Sequence, residues 1–337
     1  MASRVRLALL PPILDCRLSV VWLHNSPLPL AAAAVFAAMV GVSAAAHAAT
    51  AVVLNSDDDT LSVIDADSDK EISRTHIGRG PHHLIQTPDG RTLVVAMSGS
   101  NELVLIDRAT GVEKQRIIAS DPYQIGFSPD AKWFVAASLR LDHIDIYNAG
   151  TFELVHRLPA STMPSHIAFS ADSKTVFVTL QGTGSLTSID LASGKVNWTA
   201  PVGPTPAGII TRPDGTLLVG VMGANYIAQV DPANGSVINR VVTGNGAHNF
   251  LVSPDRKTLY VTNRVASTIS VLNADTLEVE NTLQAPGGPD DMAMSPDGQQ
   301  LWVTGRWHAW VDVIELASGT LKTSVPVGRS PHGIFVY

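Results

Sequence analysis

The sequence predicts an all-β protein, a seven-bladed β-propeller of four-stranded antiparallel blades that is closed by its C-terminal strand. Three observations indicate this architecture: a repeat period of about 42 residues, four strand-like runs in each period, and a final segment that supplies a strand missing from the first repeat. Hydrophobic residues make up 45% of the 337 residues and charged residues 16%, which provides a core and excludes a disordered chain or a coiled coil.

Two kinds of turn recur along the chain with the same period. Turns related to Ser/Thr-Pro-Asp-Gly occur six times, and a second kind of turn ends another strand seven times, both at spacings of 41 or 42 residues. The first set is marked by Asp89, Asp130, Asp172, Asp214, Asp255 and Asp297. The second set is marked by Asp65, Asp107, Asn148, Asp190, Asp231, Asn273 and Glu315. Such regular self-similarity indicates a repeat architecture.

Each period contains four short runs rich in Val, Ile, Thr and Leu. In the sixth repeat the predicted strands are residues 249–252, 258–262, 268–272 and 278–283. Pro presets one turn dihedral and Gly accepts the left-handed one, so the turns between these runs favour antiparallel hairpins. Four strands in about 42 residues are typical of a propeller blade. A solenoid is the structural alternative, but it would need capping repeats.

The repeat array begins with a second strand and ends with a first strand. Residues 51–54 align with the second strands of the other repeats, and residues 331–337 align with the first strands. We therefore predict that the two segments pair in one blade. This pairing closes the ring and removes open sheet edges without a disulfide.

The first 48 residues predict a secretory signal peptide. Arg4, Arg6 and Arg17 precede an apolar run over residues 28–46, which ends in the small-x-small sequence Ala46-His47-Ala48. A basic start, an apolar centre and a small-residue exit are typical of such peptides. A retained membrane anchor is the alternative interpretation.

Cleavage after residue 48 would leave residues 49–337 as a single propeller domain in the periplasm or outside the cell, with no membrane insertion. The remaining chain would carry 20 basic and 29 acidic residues, a net charge of −9, against −7 for the whole chain. Cys16, the only cysteine, would be lost, which suits an oxidising compartment. The negative charge makes nucleic acid an unfavourable partner.

One repeat carries the sequence Tyr260-Val261-Thr262-Asn263, and the variants Phe177-Val178-Thr179 and Trp302-Val303-Thr304 occur in others. In these motifs the chain resembles the YVTN-repeat β-propeller proteins, including the exported YncE-like group, across essentially its whole mature length. The resemblance implies export, a seven-bladed ring, and ligands or partners that bind on one face. It implies less about activity, because related propellers include lactonases, streptogramin lyases, dehydrogenase subunits and binding scaffolds.

Histidines concentrate on one face of the predicted ring, at the connections that lead into the first strand or out of the second. Aligning the first strands on their Pro-Asp turns places four candidate metal ligands at one level in consecutive blades. These residues are His82, His248, Asp290 and His332. Three imidazoles and a carboxylate suit a divalent metal such as zinc or copper, or proton transfer. The alternative is a solvated channel mouth without a ligand.

Further residues on this face form a candidate ligand-binding set. His83, His166 and Asp291 occupy the next position of the first strands, and the other members follow second strands: Arg140, Arg264, Arg306, Trp307 and His308. Arginine suits carboxylate or phosphate, and Trp307 offers a flat apolar surface. The alternative is ordinary exposed loop charge.

These features predict an exported binding protein that recognises a partner protein or a small ligand on the face with the His, Arg and Trp loops. A metal-assisted lyase or lactone hydrolase at the channel mouth is one alternative. The aligned ring positions carry no glutamate, a departure from the lactonase-like and lyase-like propellers. A propeller partner of a periplasmic oxidoreductase is another alternative. Apart from a divalent metal, the sequence predicts no particular cofactor.

Overall fold

A computed structural model describes residues 49–108 and 110–337, and the predicted signal peptide lies outside these residues. Within them no helix is long and apolar enough to cross a membrane. The strands, in chain order, are β1 (Thr50–Asn55), β2 (Thr60–Asp65), β3 (Lys70–His76), β4 (Pro81–Gln86), β5 (Thr92–Met97), β6 (Glu102–Asp107), β7 (Glu113–Ile118), β8 (Gln124–Phe127), β9 (Trp133–Ser138), β10 (His143–Asn148), β11 (Leu154–Pro159), β12 (Pro164–Phe169), β13 (Thr175–Leu180), β14 (Ser185–Asp190), β15 (Val196–Pro201), β16 (Pro206–Thr211), β17 (Leu217–Val221), β18 (Tyr226–Val230), β19 (Val237–Val242), β20 (Ala247–Val252), β21 (Thr258–Asn263), β22 (Thr268–Asn273), β23 (Val279–Gln284), β24 (Pro289–Met294), β25 (Gln300–Gly305), β26 (Trp310–Glu315), β27 (Thr320–Pro326) and β28 (Pro331–Val336).

The strands form seven antiparallel sheets of four, and each sheet is one blade. Six blades use four consecutive strands, from β4–β7 to β24–β27, and the seventh has the order β28-β1-β2-β3. The innermost strands β4, β8, β12, β16, β20, β24 and β28 contact one another in sequence around the ring. The predicted all-β, seven-bladed propeller is therefore confirmed, and β20–β23 match the four strands predicted for the sixth repeat.

The hydrophobic core lies between the blades as seven separate clusters. One cluster packs Val53 and Ile64 of the blade β28-β1-β2-β3 against Trp302 and Val313 of the blade β24–β27, and all four are fully buried. The outermost strands are largely exposed, as in β7. Apolar burial between neighbouring sheets is the main force that holds such a ring together.

The C-terminal strand closes the ring. In β28, Ile334, Phe335 and Val336 pair with Val53, Val52 and Ala51 of β1. Backbone hydrogen bonds of 2.8 and 2.9 Å also join Thr50 to Tyr337 in both directions. The predicted pairing of the two chain ends in one blade is confirmed.

A bulge near the start of the inner strands turns two consecutive residues toward the channel. The pairing register shifts at this point in β4, β12, β16, β20, β24 and β28. The threonine of the YVTN motif satisfies the freed backbone: the Thr262 hydroxyl accepts a 2.9 Å hydrogen bond from the Asn249 amide, and Thr179 accepts one of 3.0 Å from the His166 amide. Bulges of this kind redirect side chains, and they often occur beside functional sites.

Candidate functional site

Five histidines and a tyrosine gather at one end of the central channel, where the inner strands begin. Ring centroids lie 3.6 Å apart for His82 and His332, 4.5 Å for His83 and His332, and 5.4 Å for His83 and His166. His248 continues the series, 5.2 Å from His166. The imidazoles therefore contact one another in a continuous cluster.

Three of these residues, called here the histidine trio, are His82, His83 and His332. Each offers a ring nitrogen, and the three nitrogens lie within 4.8 Å of one another. Nitrogens that share one metal at about 2 Å lie at most about 4 Å from one another, so small side-chain movements would bring the three to ligand distance. Gly333 permits the approach, because a Cβ there would lie 2.8 Å from the His82 carbonyl oxygen.

The membership of the trio differs from the predicted metal set. His83 replaces His248, because the bulge turns both His82 and His83 inward, whereas a regular strand would direct them to opposite sides. His248 already uses both ring nitrogens: Nε2 lies 2.7 Å from the Arg264 guanidinium, and Nδ1 lies 3.2 Å from Asp290 Oδ1. Its imidazole therefore holds Asp290 and Arg264 in place.

Asp290 is a buried carboxylate surrounded by positive and polar groups. Its Oδ1 accepts a hydrogen bond from Arg264, and its Oδ2 lies 3.2 Å from His332 Nε2 and 3.7 Å from Arg306 Nε. Burial pushes the pKa of Asp290 upward, but the charges of Arg264 and Arg306 and the His248 ring outweigh it and hold the pKa well below its usual range. Asp290 is therefore ionised, and its Oδ2 faces the His332 ring without forming a hydrogen bond to it.

His83 is fixed by a backbone contact. Its Nδ1 lies 3.0 Å from the Tyr123 carbonyl oxygen, which can only accept a hydrogen bond. Nδ1 therefore carries the proton of the neutral ring, and Nε2 keeps its lone pair. Metal-binding histidines in proteins are usually oriented by such a contact to a carbonyl or carboxylate on the other nitrogen.

Burial keeps the imidazoles uncharged. His82 is 6% exposed, His83 5%, and His332 1%. Burial lowers the pKa of His83 to about 4 and places the pKa of His82 and His332 well below the usual value. Neutral imidazole is the form that binds metals.

Several buried nitrogens of the cluster have no hydrogen-bond partner among the residues that the structure describes. They are Nε2 of His83, Nε2 of His166 and both ring nitrogens of His332. Leaving a buried polar atom unsatisfied costs about 1–3 kcal/mol, so each such atom in a native protein calls for a partner. The donor set of the trio thus fits a metal ion.

The remaining predicted ligand residues divide into two groups. Arg264 and Arg306 reach Asp290, whereas Arg140 lies apart and pairs at 2.7 Å with the buried Asp121. Asp291 lies beside the cluster but accepts a 2.9 Å hydrogen bond from Asn249 of the preceding blade. Desolvation of its carboxyl raises the pKa of Asp291 to about 7.

The aromatic members of the predicted set lie on the rim of the same face. Trp307 is 57% exposed, and its indole covers Gly288, where any Cβ would clash with the ring. His308 is exposed and stacks on Trp310 with ring centroids 4.1 Å apart. Neither contacts the trio.

Tyr123 is the cluster member that the sequence-based candidate set omits. Its ring centroid lies 3.9 Å from that of His82, and burial raises its pKa to about 12. Tyr123 occupies the same aligned position as His82 and His332, because it lies seven residues before Asp130, the aspartate of the Pro-Asp turn in its own repeat. This aligned position is the sequence feature from which its membership of the cluster could be predicted.

We expect the metal-free protein to lose stability on acidification from about pH 6.5 to pH 4. Burial lowers the pKa of folded His83 to about 4 and that of His248 to about 3, whereas an unfolded histidine titrates near 6.5. The unfolded chain binds more protons in this window, so falling pH favours unfolding, by about 3 kcal/mol for His83 alone. Urea unfolding between pH 7.5 and pH 4 measures the effect. The His83→Gln variant should show a shallower decline, and an identical decline would contradict the assignment.

The sequence matches the YNCE-like beta-propeller family over residues 15–337. The chain belongs to this family. That membership confirms the resemblance carried by the YVTN motifs, and it assigns the fold without assigning an activity. No curated protein matches the sequence at a significant level.

Solved structures similar to this YNCE-like propeller share its fold at low identity. A protein of unknown function from Desulfotomaculum acetoxidans is 19% identical with a TM-score of 0.75, and the match covers 85% of this chain and 98% of that one. A protein described as a candidate 6-phosphogluconolactonase from Bacteroides uniformis is 15% identical with a TM-score of 0.69, over 86% and 100% of the two chains. Dihydro-heme d1 dehydrogenase NirN, in complex with DHE, is 16% identical with a TM-score of 0.64, over 85% and 74%.

Proposed function

We propose that this chain is an exported binding protein that holds one transition-metal ion in the histidine trio at one end of the propeller channel. One observation carries the proposal. Three buried, uncharged imidazoles present ring nitrogens within 4.8 Å of one another, and nitrogens of two of them are otherwise unsatisfied. Imidazole is a ligand for both zinc and copper.

The contacts behind the trio support a metal site more strongly than the histidines alone. The Tyr123 carbonyl fixes His83, and the Asp290 carboxylate lies behind His332. Such outer contacts set the tautomer and orientation of ligating histidines, and removing them usually weakens metal binding 10- to 100-fold.

The depth of the trio favours binding over turnover. A catalytic metal keeps an open coordination position that substrate can reach, whereas these three side chains are at most 6% exposed. A lactone hydrolase or lyase at this position is therefore less well supported. The similarity to a candidate 6-phosphogluconolactonase lies at 15% identity and adds no support for that activity.

The rim of the same face supports a second role, the docking of an exported partner protein. Four apolar side chains in its connections are exposed: Leu141, Met163, Val265 and Trp307. Exposed large aromatic residues such as Trp307 are typical of protein contact sites. Export follows from the predicted signal peptide at residues 1–48.

Metal analysis of the full-length protein tests the proposal. After incubation with copper or zinc and gel filtration, we expect one ion per chain by mass spectrometry. His83→Ala and His332→Ala should each weaken binding at least about tenfold, because one of three ligands is lost. His156→Ala is the matched control, since that ring contacts the Ala192 carbonyl on the opposite face of the blades. Unchanged metal content in both trio variants, with the fold intact by circular dichroism, would refute it.

A further inference from the structure

An open cavity of about 460 Å³ lies on the face of the ring opposite to the histidine trio. The trio lies where the inner strands begin, whereas this cavity is lined by the ends of β12, β16 and β20 and by the turns that follow them. Most of the lining is apolar, with contributions from Phe169, Ile210, Leu218, Val252 and Leu259. A largely apolar cavity of this size, with a few polar groups, is typical of a small-molecule site.

Arg256, which lines this cavity, departs from the turn pattern of the repeat. The residue after the turn aspartate is Gly in three of the six Pro-Asp turns, and elsewhere it is Ala131, Ser173 or Arg256. Arg256 has a φ of 61°, in the left-handed region that glycine adopts without strain and that other residues adopt at a cost. Arg256 is exposed, and within the described chain its guanidinium has no ion pair or hydrogen bond. An arginine thus replaces a small residue here, and no polar contact of the described chain accounts for it.

Asp275 brings a charge of the opposite sign to the same cavity. It lies in the turn after the third strand of its blade, where four of the seven blades have Ala at the equivalent position. Its backbone carbonyl accepts a 2.8 Å hydrogen bond from Arg212. Its carboxylate is exposed and has no partner among the residues that the structure describes, Arg256 included.

Arg212, the other arginine of the lining, is already engaged. Its Nη1 lies 2.8 Å from Asp214 Oδ2, and its Nη2 donates to the carbonyls of Ala274 and Asp275 in the next blade. Arg212 therefore joins two blades in the cavity wall, and Asp214 offsets its charge. Arg256 and Asp275 remain as the two unpaired charges of the lining, and they sum to zero.

We propose that this cavity binds an apolar α-amino acid in its zwitterionic form. The guanidinium of Arg256 pairs with the carboxylate of the ligand, since the two groups match in a bidentate geometry. The carboxylate of Asp275 accepts hydrogen bonds from the ammonium group, and the apolar side chain covers Phe169 and its apolar neighbours. The ligand carries both charges near neutral pH and is neutral overall, as the lining is.

Calorimetric titration of the full-length protein tests the proposal with three compounds of the same apolar group. Phenylalanine carries both charges, phenethylamine only the ammonium and 3-phenylpropionate only the carboxylate. EDTA in the buffer prevents the compounds from coordinating a metal. Phenylalanine should bind at least about fivefold more tightly than either analogue, because each analogue lacks one ion pair. Equal affinity for all three compounds, or no binding of phenylalanine, would overturn the proposal.

Two variants assign the contacts, and each restores a residue found at equivalent turns. Arg256→Gly should weaken phenylalanine and 3-phenylpropionate but not phenethylamine, whereas Asp275→Ala should weaken phenylalanine and phenethylamine but not 3-phenylpropionate. Arg256→Gly should also unfold at an equal or higher temperature, since it relieves the left-handed conformation of an arginine. Asp67→Ala is the matched control, because Asp67 occupies the position of Asp275 in another blade and does not line the cavity. Equal weakening of all three compounds in either variant would overturn the assigned ion pair.

Discussion

Removal of residues 331–337 is expected to abolish cooperative folding of the propeller. The deletion takes away β28, which is the inner strand of its blade, and with it the pairing to β1 and the contact to β4. Buried apolar area at Ile334 and the hydrogen bonds of Thr50 are lost together. A loss of about 5 kcal/mol or more is comparable to the total stability of many domains.

Circular dichroism and thermal unfolding of the metal-free full-length and truncated proteins measure this effect. A synthetic peptide of residues 329–337 should restore part of the lost transition when it is added to the truncated chain. The conservative Tyr337→Phe variant is the control, since it removes only a 2.8 Å hydrogen bond to the Arg108 carbonyl. A truncated chain that melts within a few degrees of the full-length protein would show that β28 does not close the ring.

Asp290→Asn is expected to destabilise the metal-free protein by about 3 kcal/mol, since breaking a buried ion pair leaves uncompensated charge. Asp290 is fully buried, and two guanidiniums, Arg264 and Arg306, face it. The same change should weaken metal binding about tenfold or more, because the bound cation loses the nearby negative charge of the carboxylate that faces His332.

Asp58→Asn provides the matched control for this substitution. Asp58 also pairs with an arginine, Arg329, but at the exposed rim, where a salt bridge contributes at most about 1 kcal/mol. Urea unfolding of the three proteins gives the free energies of unfolding. Equal stability of the two variants would mean that the Asp290 network does not carry the electrostatic role assigned to it.

The fold could be predicted from the sequence because each blade repeats the same turn chemistry. The aspartates of the Pro-Asp turns mark the positions of the strands in each repeat. Residues 331–337 align with the first strands, which identifies them as the missing first strand of the N-terminal repeat. A ring also determines which positions share a level, so the repeat alignment alone predicts that His82, His248, Asp290 and His332 lie together. All four do lie in the cluster.

The repeat alignment could not predict which residues of the cluster form the histidine trio and which ones surround Asp290. Strand alternation puts His82 and His83 on opposite sides, and only the bulge opposite Ala96 of β5 brings both inward. Arg264 and Arg306 also point inward, toward Asp290. The repeat pattern does not determine the direction of such long side chains.

X-ray absorption spectroscopy of the copper-loaded full-length protein tests the central claim most directly. If His82, His83 and His332 bind the ion, its first coordination shell should contain three imidazole nitrogens at about 2.0 Å. One of these nitrogens should be lost in His83→Ala. A shell of oxygen ligands, or a nitrogen shell that His83→Ala leaves unchanged, would contradict it.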